Sequence, residues 1–245
     1  MRALTAGELL DIWEAGFAQT PAERALTLLT AACPETSWDA LAALSIGQRD
    51  ARLLALRERL WGAGMEAVVA CPGCRDRLEL NLSTRAMLED APPFPPGEMT
   101  LNIAEYKMIF RLPTSLDVMA AAEPGDAETC RALLLERCLL AARQGDEPVD
   151  SYDLPPEITA GIAEAMVAAD PLADIQLDLT CPTCEQRWRG GFDIVSFLWT
   201  EIEVWAWRML SDVHTLARAY GWSEGDILRL SPTRRQFYLE MCGTI

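Results

Sequence analysis

The sequence predicts an α+β protein, mainly helical, with one small β module built from two hairpins far apart in the chain. Three observations carry this reading. Apolar residues recur at steps of three or four up to about residue 60 and again from 194 to 220, the period of a helix with one buried face. Around 68–82 and 175–179 the period drops to two, as in half-buried strands. Both alternating stretches meet the same kind of turn, Cys71-Pro72-Gly73-Cys74 and Cys181-Pro182-Thr183-Cys184, each with an arginine further on, Arg77 and Arg187.

Taken in order, residues 1–63 form an N-terminal helical region. Leu9, Leu10, Trp13 and Phe17 share a face, and Ala25, Leu28, Leu29 and Ala32 repeat it until Pro34 ends the second helix. A third helix starts near Ser45 and runs through Leu53, Leu54, Leu56 and Leu60, with Arg49, Arg52, Arg57 and Arg59 interleaved, until Gly62 and Gly64 stop it.

Residues 64–113 form a β-rich region. Val68 and Val69 lead into the first cysteine pair, and Leu78, Leu80 and Leu82 lead out of it as a hairpin. Pro92, Pro93, Pro95 and Pro96 predict a stiff connector, followed by a strand pair at 99–103 and 106–112.

Residues 114–170 form a helical insertion, with Ser115 or Asp117 as caps and an Ala/Leu-rich helix from about Ala127 to Arg143 that Gly145 closes. A turn-rich linker from Asp146 to Pro156 leads to a short helix ending near Ala168. Residues 171–193 hold Ile175, Leu177 and Leu179 and the second cysteine pair, completing the β module. Residues 194–245 form a C-terminal helical region whose stripe runs Val195, Leu198, Ile202, Trp205, Met209, Val213, Leu216 and Tyr220. Asp193 is placed to cap it and Gly221 to end it; Ser223 with Asp226, and Ser231-Pro232, open two more short helices.

Composition excludes several functions. With 37 acidic against 21 basic residues, the net charge of −16 repels phosphate backbones and anionic lipid, which argues against nucleic-acid or membrane partners and favours a basic protein partner. The N-terminus lacks the apolar run of a signal peptide, and the stretch from Ile194 to Tyr220 is interrupted by Glu201, Glu203, Arg208 and Asp212, so the expectation is a cytoplasmic protein with no membrane span. In a reducing compartment the CPxC pairs point to metal binding or redox chemistry rather than disulfides, whereas Cys33, Cys130, Cys138 and Cys242 show no ligand spacing.

Two C-x-x-C turns at hairpin tips supply the four soft thiolates that a structural zinc ion requires, which makes Cys71, Cys74, Cys181 and Cys184 the expected ligands of a zinc-ribbon-like module. The rival is glutaredoxin-like redox catalysis, in which a helix N-terminus stabilises the thiolate. The alternation at 78–82 and the Gly190-Gly191 pair leave no such helix.

The segment from Ala217 to Ile227 has the outline of a helix-turn-helix, but Glu224 and Asp226 would meet the DNA first, and only Arg229, Arg234 and Arg235 supply positive charge. His214, the sole histidine, reads as a boundary side chain. No nucleophile–base pair, G-x-S-x-G elbow or glycine-rich phosphate loop is present, and Glu201 and Glu203 read as a solvated helix face, so no catalytic residue is expected. Trp199 and Trp207 lie off the apolar stripe; with Trp222 they are the candidate partner-binding aromatics.

Several segments follow one another in a familiar order: Leu10-Asp11-Ile12-Trp13-Glu14, Arg24-Ala25-Leu26-Thr27-Leu28-Leu29, Leu44-Ser45-Ile46-Gly47-Gln48-Arg49-Asp50, the CPGC turn, Phe110-Arg111-Leu112-Pro113-Thr114, the CPTC turn, and the run from His214 to Glu224. In these the chain resembles the T4-type baseplate hub assembly proteins of contractile phage tails and contractile injection systems. The resemblance implies a cytoplasmic, non-enzymatic assembly factor, a chaperone or scaffold whose partner is a baseplate hub or spike protein. Smaller phage members of that family lack obvious cysteine pairs, so the zinc module rests on its own spacing. Two alternatives stand beside this expectation: a permanent structural subunit of the baseplate, and a zinc-ribbon or helix-turn-helix transcriptional regulator.

Overall fold

The computed structural model describes residues 1–89, 97–122 and 126–243. The proline connector expected at 92–96 lies outside them. Helices α1 (Ala6–Ala15), α2 (Pro21–Ala32), α3 (Trp38–Ala42) and α4 (Ile46–Trp61) come first. Strands β1 (Gly64–Ala70) and β2 (Arg77–Ser83) form the first hairpin, and helix α5 (Thr84–Glu89) follows. Next come β3 (Met99–Ile103), β4 (Tyr106–Phe110), α6 (Ser115–Ala121), α7 (Ala127–Cys138), β5 (Leu139–Gln144), β6 (Glu147–Pro148) and α8 (Pro156–Ala169). The chain then runs through β7 (Ile175–Thr180), β8 (Arg187–Phe192), α9 (Ile194–Tyr220), α10 (Glu224–Leu228) and α11 (Pro232–Cys242).

The helix starts follow from side-chain capping. Thr5 with Glu8, Thr20 with Glu23, and Ser45 with Gln48 form reciprocal capping boxes on α1, α2 and α4, satisfying amides that have no partner inside the helix. Asp193 caps α9, and Gly221, at φ 69°, ends it in the left-handed conformation that glycine adopts without a Cβ clash. For α6 the cap is Thr114, with Asp117 reaching back as its partner, rather than Ser115 or Asp117 as the sequence suggested.

The main core lies among α1, α2, α4 and α9. Ala25, Leu28, Leu29 and Ala32 of α2 are fully buried, and Leu53, Leu54 and Leu56 of α4 meet Leu198, Ile202 and Ala206 of α9. Charge is buried here as well. The Arg57 guanidinium donates to both carboxylate oxygens of Glu201 at 2.7 and 3.0 Å and to the carbonyls of Gly62 and Gly64, fixing α4, the start of β1 and α9 to one another. Glu201, read from the sequence as part of a solvated face, is therefore one half of this pair.

The expected helix from Ala127 to Arg143 is corrected: it stops at Cys138, and Leu139–Gln144 is strand β5. Ala, Leu and Arg favour helix, but pairing with β4 (Ala142 opposite Met108, Arg143 opposite Lys107) overrides local propensity. Gly145, expected to close that helix, turns a two-residue loop with Asp146 instead, at φ 59°. The resulting sheet, ordered β3-β4-β5-β6, draws strands from both sides of residue 113 and packs Met108, Phe110 and Ala142 against Ile158 and Ile162 of α8. Among the described residues it is separate from the two cysteine hairpins, so the strand pair at 99–110 belongs to a different sheet from the hairpin at 64–83.

Candidate metal centre and partner surfaces

The two cysteine turns fold as the same knuckle. In the first, the Cys71 amide donates to the Asp76 carbonyl and the Arg75 amide to the Cys71 carbonyl, at 2.8 and 2.9 Å. In the second, the Cys181 amide donates to Gln186 and the Glu185 amide to Cys181, at 2.9 and 3.0 Å. Each knuckle needs one left-handed residue just after its second cysteine, and these are Arg75 and Glu185, at φ 64° and 58°. No glycine marks either place, so the sequence carries no signal for this strain.

The knuckles face each other. Although β1-β2 and β7-β8 are separate two-stranded sheets, the four sulfur atoms lie within 4.8 Å of one another. The Cys71–Cys184 and Cys74–Cys181 Sγ distances are both 3.6 Å, and all four residues are free thiols. Tetrahedral thiolates about 2.3 Å from a central zinc sit about 3.8 Å apart, so the spacing fits a metal ion of that size. Cys71 and Cys181 are buried, with Leu78, Val69 and Trp188 packed beneath, whereas Cys74 and Cys184 form the exposed side. The Thr183 hydroxyl donates to the Asp76 carboxylate across the junction.

Four sulfurs at this spacing cannot all ionise without a cation. The amides of Cys74 and Gly73 and the neighbouring thiols bring Cys71 down to about 7. At Cys74 the Asp76 amide pulls downward, but the sulfurs of Cys184, Cys181 and Cys71 outweigh it and push the thiol up to about 12. A metal ion held by the four cysteines would remove this conflict by neutralising the thiolates. The chain after each cysteine pair is a strand, so neither thiol has the helix N-terminus on which the redox reading depends.

The candidate aromatics separate. Trp199 is buried within the chain: its ring fills the place a Cβ on Gly16 would take, and the Arg24 guanidinium stacks over it at 4.4 Å. Its expected place at a partner interface is corrected accordingly. Trp207 stays 62% exposed, its ring edge-on to Trp13 at 5.9 Å. Phe17, read from the sequence as part of the buried face of the first helix, lies past the end of α1 and is 61% exposed, touching the same Trp13 at 4.9 Å. Trp222 is half-buried, stacked on Tyr220 at 4.7 Å and edge-on to Tyr238 at 4.8 Å. Helix α1 ends at Ala15, so the helical period that puts Phe17 on the buried face does not reach it.

In the segment with the helix-turn-helix outline the helix is short and two arginines are paired. Helix α10 has five residues, Arg229 is held by Asp226 at 2.7 Å, and the half-buried Asp212 takes Arg235 at 3.0 Å. His214 is exposed on α9. No helix among the described residues is long and apolar enough to cross a membrane.

A family model described as T4 bacteriophage base plate protein matches residues 1–199, most of the chain and both knuckles. The stretch from His214 to Glu224 lies beyond the match. A search of curated proteins and a search of solved structures each found no match.

Proposed function

From the premise that the chain belongs to the T4 bacteriophage base plate protein family, we propose that it is a non-enzymatic assembly factor for the baseplate hub of a contractile phage tail or contractile injection system. Its partner is a hub or spike protein. The observation that carries this reading beyond the family is the aromatic cluster of Phe17 and Trp207 on Trp13, two large rings left open to solvent on a protein of net charge −16. Exposed aromatics around a packed anchor supply contact area with little entropy to lose, and the acidic surface selects a basic partner.

The role of the four cysteines in this reading is structural. Cys71, Cys74, Cys181 and Cys184 hold a zinc ion, for which the thiolate set and the sulfur spacing speak. The ion supplies no reaction step; it fixes the two hairpins relative to the helical core.

The test is expression with the surrounding baseplate genes, followed by affinity purification and by protein analysis of finished particles. The reading expects a stoichiometric complex with a hub or spike protein before assembly, loss of the complex in Trp207→Ala, and absence of the chain from mature particles. Retention in mature particles would instead make it a permanent structural subunit. No complex with any baseplate protein would overturn both readings.

A further inference from the structure

A second surface lies between the first hairpin and α9. A groove of about 800 Å³ is floored by the half-buried rings of Trp61, Phe192, Phe197 and Trp205 and walled by Val68 and Val204, which are 54% and 46% exposed. Glu66, Ala67 and Val68 line it in succession. Side chains of a strand leave alternate faces, so a groove touching three residues in a row meets β1 along its edge. That edge carries no strand among the described residues, because β1 pairs with β2 alone. An open strand edge beside an apolar trough is the arrangement that takes up an added strand: the backbone supplies hydrogen bonds and the trough takes every second side chain.

The charge at the mouth selects the occupant. Glu66 is exposed there without an ion pair among the described residues, Asp193 is exposed beside it with its carboxylate capping α9, and Glu201 is paired with Arg57, against a single lining arginine, Arg208. We propose that this groove docks an extended segment of a partner protein that pairs with the free edge of β1, placing alternate apolar side chains on the aromatic floor and lysine or arginine residues against Glu66 and Asp193. The identity of that partner as a baseplate protein rests on the function proposed above; the docking mode does not.

The probe is a capped seven-residue peptide alternating valine and lysine, with two controls: one alternating valine and glutamate, and one with the lysine sequence whose alternate amides are N-methylated. The full chain is titrated while tryptophan fluorescence and amide hydrogen exchange are followed. The lysine peptide is expected to bind at least about tenfold more tightly than either control and to slow exchange along Gly64–Ala70. Glu66→Lys, an exposed change, should reverse the preference between the lysine and glutamate peptides. Equal binding of all three, protection of α9 without protection of β1, or a chain that already dimerises through the β1 edge would overturn the proposal. A failed peptide titration alongside an intact complex with baseplate proteins would remove this docking mode and leave the family role standing.

Discussion

Gly47 is the second residue of α4, and its missing side chain makes room for Asp170. The Gly47 amide donates to Asp170 Oδ2 at 2.9 Å, and a Cβ would come within 1.8 Å of Oδ1. Asp170 is 2% exposed. Gly47→Ala should cost about 2–3 kcal/mol, the scale of forced overpacking, read by denaturant unfolding; an unchanged midpoint would show that Asp170 moves away freely. Next to it, burial pushes the Asp50 carboxyl up to about 6 from its ordinary 3.8, against the pull of Arg49, whose Nε donates to it at 2.7 Å. A carboxyl raised by folding adds stability that is complete below about pH 4 and lost as pH climbs through about 6. The stability of the native chain relative to Asp50→Asn should therefore grow on acidification from pH 6 to 4, by up to about 3 kcal/mol. A constant difference over that window would contradict the burial argument. Neither residue announced itself in the sequence: both sit in the Ser45–Asp50 segment that carried the family resemblance, but Asp170 is 123 positions away in the chain, and pattern reading sees only near neighbours.

At the scale of elements, the sequence is most informative where local chemistry decides. The start of α4 at Ser45, the Asp193 cap and glycine end of α9 and the alternation flanking both cysteine pairs are all local, and these were legible, whereas the Thr5 and Thr20 caps went unread. Strand β5 was not, because its residues favour helix and pairing with β4, and at its end with β6, makes it a strand, although Gly145-Asp146 offered a hairpin signal. Arg57 illustrates the same limit, since it is interleaved among the leucines of α4 with nothing to mark its partner, yet it is 4% exposed and grips Glu201. Arg57→Ala leaves that carboxylate and the Gly62 and Gly64 carbonyls without their donor and should cost about 3 kcal/mol. It should also speed amide exchange at the start of β1 more than in β3–β6. In the knuckles, Glu185 occupies a left-handed position that favours glycine, so Glu185→Gly should raise stability by up to about 1 kcal/mol, while the same change at Thr183 should not.

Across the whole molecule, the spacing of the cysteines was the most far-reaching sequence signal, because it named a contact between segments 110 positions apart from residue 71 to residue 181 that no local pattern implies. The structure brings those four sulfurs together at the meeting of two sheets that share no strand pairing, with the Asp76–Thr183 hydrogen bond as the polar tie beside them. What the spacing left open was which surfaces this junction supports: the aromatic cluster at Trp13 and the groove beside β1 are products of packing between α1, α9 and the first hairpin. One metal ion held by the four cysteines would fasten the two hairpins into a single module. Metal analysis of the purified full-length chain, with thermal unfolding of the native protein and Cys181→Ser in parallel, tests this most directly. The expected result is one zinc per chain, lost in the variant together with a large part of the stability. A metal-free native chain and a fully stable Cys181→Ser variant would contradict it.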